Sequence, residues 1–169
     1  MRGLISIFFG LVLAATAGSA FAQSARKLAE HGDWATYSYQ ASSGKVCYVL
    51  TVPKPKSMQP ANLDHGDMFF FVSQRPGQAV SFEPQFIAGY PLKEGSKVQV
   101  TIGDKKFSMF TKGNSAWVEN AAEEPQLIAA MKAGSDMQVS ARSGRDNPTS
   151  YSFSLKGITA SLNSISSCK

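Results

Sequence analysis

The sequence predicts a mainly β protein, an antiparallel β-sandwich of about eight or nine strands with two short helices. Three observations point there. Short segments alternate apolar and polar residues, with turn signals at close intervals between them. Gly (14), Pro (8) and many Ser and Thr residues are spread along the chain, which argues against a coiled coil. At 43% hydrophobic, 11% aromatic and only 17% charged, 169 residues can bury one core and do not resemble a disordered chain. Residues 33–169 are therefore expected to form one β-sandwich domain.

Residues 1–22 precede it and read as a cleaved signal peptide. Arg2 supplies a short positive region and Leu4 to Ala15 a largely apolar stretch, too short for a ~20-residue membrane span. Ala20-Phe21-Ala22 offers small residues at the two positions a signal peptidase reads. A retained membrane anchor is the alternative. No later stretch is long and apolar enough to span a bilayer, so the processed chain is expected in the periplasm, secreted, or at the outer surface.

Residues 23–32 look like a flexible lead-in. Trp34–Gln40 alternates and suits a strand, and Ser42-Ser43-Gly44 marks a turn. Lys45–Val52 is apolar on both faces, as a central strand would be. Pro53, Pro55 and Pro60 deny the segment up to Gly66 regular ladder bonds, and a loop that long is often functional. Asp67–Gln74 returns to strand and closes at Arg75-Pro76-Gly77. Ala79–Gly89 is extended, with Pro84 suggesting an edge or a bulge. The clearest local signal is a hairpin: Val98, Val100 and Ile102, the turn Gly103-Asp104, then Phe107 and Met109 on the same face. Gly113-Asn114 turns the chain into Ala116–Glu119. Glu123-Glu124-Pro125 opens a helix with the stripe Leu127, Ile128 and Met131, ended by Gly134. Met137–Ala141 and Thr149–Leu155 are strands around a loop at 143–148. Ile158, Leu162 and Ile165 then lie at helical spacing and lead to Cys168.

The cysteine pair Cys47 and Cys168 has no metal-ligand spacing. In an oxidising compartment such a pair usually bridges, contributing on the order of 5 kcal/mol for so long a loop. Two free buried thiols are the alternative.

The formal net charge is +5, but basic residues are dispersed, which argues against a nucleic-acid groove. They are densest at Lys93, Lys97, Lys105, Lys106 and Lys112, a solvated face or a docking surface for an anionic partner. Phe110 shares strand parity with Lys106 and Lys112, so its ring is a candidate anchor among lysines, or part of a second buried layer. Lys97, Lys105, Lys106, Phe110 and Lys112 are the candidate binding surface. Trp117 is expected in the core. No phosphate loop, dinucleotide fingerprint, zinc pattern or nucleophile elbow is present, and no cofactor, metal or catalytic residue is expected. The one enzymatic alternative is a small secreted hydrolase using His65 with Asp64 or Asp67. A solvated turn explains the same residues. A periplasmic carrier of a small apolar ligand would need a cavity between the sheets.

An ordered set of motifs carries a family resemblance. It comprises Trp34 before Lys45-Val46-Cys47-Tyr48, then Phe71-Val72-Ser73-Gln74-Arg75-Pro76. Gly95-Ser96-Lys97-Val98 with its hairpin follows, and Phe153-Ser154-Leu155-Lys156-Gly157-Ile158-Thr159-Ala160 leads to Cys168. The chain resembles the invasion-associated locus B proteins of alphaproteobacteria over most of its mature length. The resemblance implies an exported envelope protein with an immunoglobulin-like β-sandwich, a Cys47–Cys168 bridge and no established catalytic residues. It implies a binding or structural role, with host-cell invasion attached to pathogenic members. The partner would be an envelope or host-surface protein, or an anionic surface component.

Overall fold

The computed structural model describes residues 24–168 apart from position 79, so the expected signal peptide lies outside the described residues. The alternating segments become strands where one parity is apolar. In chain order they are β1 (Arg26–His31), β2 (Trp34–Ala41), β3 (Gly44–Thr51), β4 (Phe69–Arg75), β5 (Val80–Ile87), β6 (Lys97–Ile102), β7 (Lys105–Lys112), β8 (Ser115–Val118), β9 (Asp136–Arg142) and β10 (Pro148–Ser154). Helix α1 (Glu124–Ala133) lies between β8 and β9, and α2 (Ile158–Ile165) follows β10. The fold is mainly antiparallel β with two short helices, as expected, with more strands than the sequence suggested.

The additional strand is β1, which corrects the flexible lead-in over residues 23–32. It pairs with β2 from Arg26↔Ser38 to His31↔Trp34, with a bulge between Lys27 and Ala29. It is mostly exposed, so no apolar period announces it. Its ladder bonds to β2 hold it in place.

All ten strands form one hydrogen-bonded sheet in the order β1-β2-β3-β4-β5-β8-β7-β6-β9-β10. The seam in the middle is narrow: β5 meets β8 only through Gln85–Ile87 against Ser115–Trp117. The sheet folds over there, so the first five strands face the last five as two layers. Rings meet across the gap, Phe70 and Phe153 at 6.0 Å between centroids and Phe86 and Tyr151 at 5.8 Å. Val49, Val72, Val100, Met109 and Val139 fill the same interior. The interlayer space at these rings is thus occupied, which works against the carrier alternative.

Pro84 has the effect its chemistry requires. It pairs with Val72 of β4, but the β5–β8 pairing ends one residue short of it, at Gln85↔Trp117, so the missing N–H costs no bond to β8. The strand is interior at Gln85–Ile87 and an edge before it.

The proline-rich segment protects the far edge of the sheet. Lys54 N–H donates to Ser152 O at 2.7 Å, and Gln59 and Ser150 exchange backbone bonds at 2.9 and 3.0 Å. β10 therefore does not present a free row of backbone groups along this stretch. The start of β2 reaches the end of β10, where the Trp34 indole donates to Ser154 O at 2.9 Å.

Helix α1 buries Leu127, Ile128, Ala130 and Met131. Gly134 ends it in an extended conformation, not a left-handed one; a Cβ there would lie 2.5 Å from Ile102 Cγ2. Helix α2 buries Ile158, Leu162 and Ile165, and the chain then reaches Cys168, bonded to Cys47 of β3 with Cα atoms 6.0 Å apart.

Candidate functional site

Strand parity decides what the hairpin shows to solvent. Val98, Val100, Ile102, Phe107 and Met109 point into the core. Lys97, Lys106, Phe110 and Lys112 occupy the opposite parity, so four of the five candidate residues share the outer face. Lys105 does not: it pairs with the inward Ile102 at the β-turn and is exposed only because the sheet ends there. Phe110 is 44% exposed, so its ring lies at the surface and not in a second buried layer.

Trp117 corrects the core expectation. Ala116 and Val118 take the inward positions of β8, leaving Trp117 on the outer parity and half-buried. Its register partner is Phe110, and the rings stack at 5.8 Å with 26° between planes. Lys97 lies opposite Phe110 on the other side, but its ammonium is committed to Glu119 at 2.7 and 2.8 Å. Hydrogen bonding from Lys97 holds the Glu119 carboxyl below its ordinary range. Lys106 and Lys112 share the outer parity of β7 with Phe110 and enter no ion pair among the described residues.

The register carries the same row further: Phe110, Trp117, Gln85, Phe71 and Leu50 are successive partners across β7, β8, β5, β4 and β3. Phe71 lies 5.6 Å from Tyr48 and 5.7 Å from Phe69, and Tyr48 stacks on Tyr37 at 5.3 Å with 11° between planes. Tyr39 packs edge-on against Tyr48. Burial raises the Tyr48 phenol above its usual range. An aromatic band thus crosses the outer face from β2 to β7, with Gln85 joining its two parts. β6, β9 and β10 carry Gln99, Thr101, Gln138, Ser140, Ser150 and Ser152 on the same parity. The sandwich exterior is therefore aromatic along one half and polar along the other.

His65 is the second feature, and it is not a solvated turn. It is 6% exposed and bonded through both ring nitrogens. Nε2 lies 2.9 Å from Pro60 O; a carbonyl only accepts, so Nε2–H donates. In the neutral ring Nδ1 then accepts from the Tyr151 hydroxyl at 2.9 Å. With that proton spent, Tyr90 donates to Tyr151 at 2.6 Å and Thr149 donates to Tyr90 at 2.6 Å. Burial is the main cause raising the Tyr151 phenol far above its usual range. Asp64 and Asp67 are not partners of the ring. Asp64 accepts from Gly66 N–H at 3.0 Å, and both carboxylates are exposed. The acid–base grouping of the hydrolase alternative is therefore not assembled; the histidine belongs to a buried hydroxyl relay. Residues 61 and 86 positions apart meet in it, which local spacing cannot announce.

Comparisons with known proteins agree with the architecture. A family model described as invasion associated locus B protein matches residues 34–166. A crystal structure of invasion associated protein B from Bartonella henselae is similar with a TM-score of 0.57 and 13% identity. The likeness covers 81% of this chain and 92% of that one, and at this identity it shows a shared fold. No curated protein matches.

Proposed function

The chain belongs to the invasion associated locus B family, and from that premise we propose that it is an exported, non-enzymatic binding protein of the cell envelope. It docks a protein partner of the envelope or of a host surface on its outer aromatic face, and this contact is its contribution to host association. Export through residues 1–22 places it in the periplasm or at the outer surface. The Cys47–Cys168 bridge supports an oxidising destination. Among the described residues, no helix is long and apolar enough to cross a membrane.

The observation that carries the reading is the aromatic band ending in the exposed Phe110 stacked on the half-buried Trp117. Aromatic side chains are enriched at the centres of protein interfaces, with charge kept to the rim. Lys106 and Lys112 supply such a rim and favour a partner with acidic groups beside an apolar patch. The commitment of both His65 nitrogens to structural partners supports the non-enzymatic reading over a hydrolase.

The test compares binding to envelope and host-surface fractions for the wild type, Phe110→Ala, and Lys106→Glu with Lys112→Glu. Loss of an anchor residue is expected to weaken binding by about ten-fold or more, equivalent to roughly 1.4 kcal/mol. A Gln138→Ala control on the polar half should bind like wild type. Equal binding by all four proteins would remove the aromatic face from the proposal.

A further inference from the structure

Three connections meet at one end of the sandwich. Leu63, Asp64 and His65 come from the proline-rich segment, Tyr90 and Pro91 from the β5–β6 connection, and Arg145 and Asn147 from the β9–β10 connection. Together with Thr149 they enclose a recess of about 560 Å³, within the roughly 300–1,000 Å³ typical of small-molecule sites. Its walls are mostly apolar.

The walls are tied to one another. Gly144 N–H donates to Pro91 O at 2.8 Å and Lys93 N–H to Arg142 O at 2.9 Å. Gly89 and the His65–Asp67 backbone are so close that a Cβ at Gly89 would lie 2.4 Å from His65 O. The relay from Thr149 to His65 fixes the Tyr90 ring at the base. A recess set in advance costs little ordering on binding.

Two opposite charges line it and do not neutralise each other. Neither Arg145 nor Asp64 enters an ion pair among the described residues. The adjacent Asp146 is committed to Lys93 and Arg142 at 2.8 and 2.9 Å, so it does not satisfy Arg145. Asp64 uses one carboxylate oxygen on Gly66 N–H and keeps the other. Thr149, having given its proton to Tyr90, offers oxygen lone pairs.

We propose that this recess binds a small zwitterion with an apolar body, of the amino-acid class. Arg145, with the Asn147 amide, takes the carboxylate. Asp64 and the Thr149 oxygen take the ammonium, and Leu63, Tyr90 and Pro91 take the side chain. The site lies apart from the aromatic face and does not depend on the partner proposed for that face.

The probe is L-phenylalanine, titrated calorimetrically into the purified protein. 3-Phenylpropionate, which lacks the ammonium, and phenethylamine, which lacks the carboxylate, serve as comparisons. Saturable binding of L-phenylalanine is expected, with each comparison compound about ten-fold weaker for want of a charge-assisted contact. Amide shifts in two-dimensional spectra should centre on His65, Tyr90 and Asn147. Arg145→Gln should abolish the preference over phenethylamine. Asp64→Asn should abolish the preference over 3-phenylpropionate, and its side-chain oxygen can still accept from Gly66 N–H. Absence of L-phenylalanine binding, equal binding of the three compounds, shifts centred elsewhere, or unaltered preferences in the two variants would overturn the proposal.

Discussion

Tyr151 is 0% exposed, and its hydroxyl is the middle of the relay that fixes His65 and Tyr90. Tyr151→Phe keeps the ring packed against Phe86 but strands a buried imidazole nitrogen without a donor, and leaves the Tyr90 hydroxyl with Thr149 alone. A buried polar group left unpaired costs about 1–3 kcal/mol, so the variant should lose roughly 2 kcal/mol in urea unfolding. A loss near zero would mean that the relay is not closed as described. Asp146 offers a pH test. Hydrogen bonding from Lys93, then from Arg142, holds its carboxyl below the ordinary range. The folded state therefore binds this proton less readily than the unfolded chain. The resulting stability is present above the unfolded pKa and is lost as pH falls through the lower, folded one. Asp146→Asn should reduce the unfolding midpoint at neutral pH, and its difference from wild type should shrink on acidification. A difference that grows in acid would contradict the ion pairs.

The turn at Gly157 joins two elements that the chain brings together only after folding. Its φ is +94°, and a Cβ there would lie 1.9 Å from His31 O at the end of β1. Gly157→Ala therefore combines left-handed strain with a backbone clash and should cost about 3 kcal/mol. Gly103 in the β6–β7 turn has φ +56° and open space around its Cβ position, so Gly103→Ala should cost only about 1–2 kcal/mol of backbone strain. Equal losses in thermal unfolding would show that β1 does not press on the start of α2. The same contrast explains what was legible beforehand. The β6–β7 hairpin was readable because Val98, Val100, Ile102, Phe107 and Met109 repeat with period two on one buried face. β1 was not, because it buries little and exists through pairing. Trp117 was expected in the core, although the small Ala116 and the Val118 beside it already occupied the inward parity. Parity alone places Lys97, Lys106, Phe110 and Lys112 on the outer face, while Lys105, on the inward parity, is exposed at the end of the sheet. The relay and the recess were illegible: both need contacts among three distant connections.

At the scale of the molecule, the Cys47–Cys168 bridge joins positions 121 apart and encloses every element from β4 to α2. Constraining so long a loop lowers the entropy of the unfolded state, which in the chain-entropy model is worth about 5 kcal/mol. The bridge also has a local candidate role, clipping α2 to β3. The packing separates the two. Ile158, Leu162 and Ile165 are each at most 1% exposed, and burying three such side chains contributes about 1.5–3 kcal/mol apiece. Ser164 adds a hydroxyl contact to Thr36 of β2. The helix therefore has its own reasons to stay docked. Replacing both cysteines by alanine should lower global stability by about 2–5 kcal/mol. The amides of α2 should nonetheless remain protected from hydrogen exchange under native conditions, and the aromatic outer face should keep its binding. If α2 exchanges freely in the double variant while the sheet stays protected, the bridge is a local clip. If the double variant and the wild type unfold at the same midpoint, the loop-closure account fails. The expected pattern, a uniform loss without local release, is what would link the proposed oxidising destination to the fold. The bridge stabilises the whole sandwich without rearranging the face proposed to meet the partner.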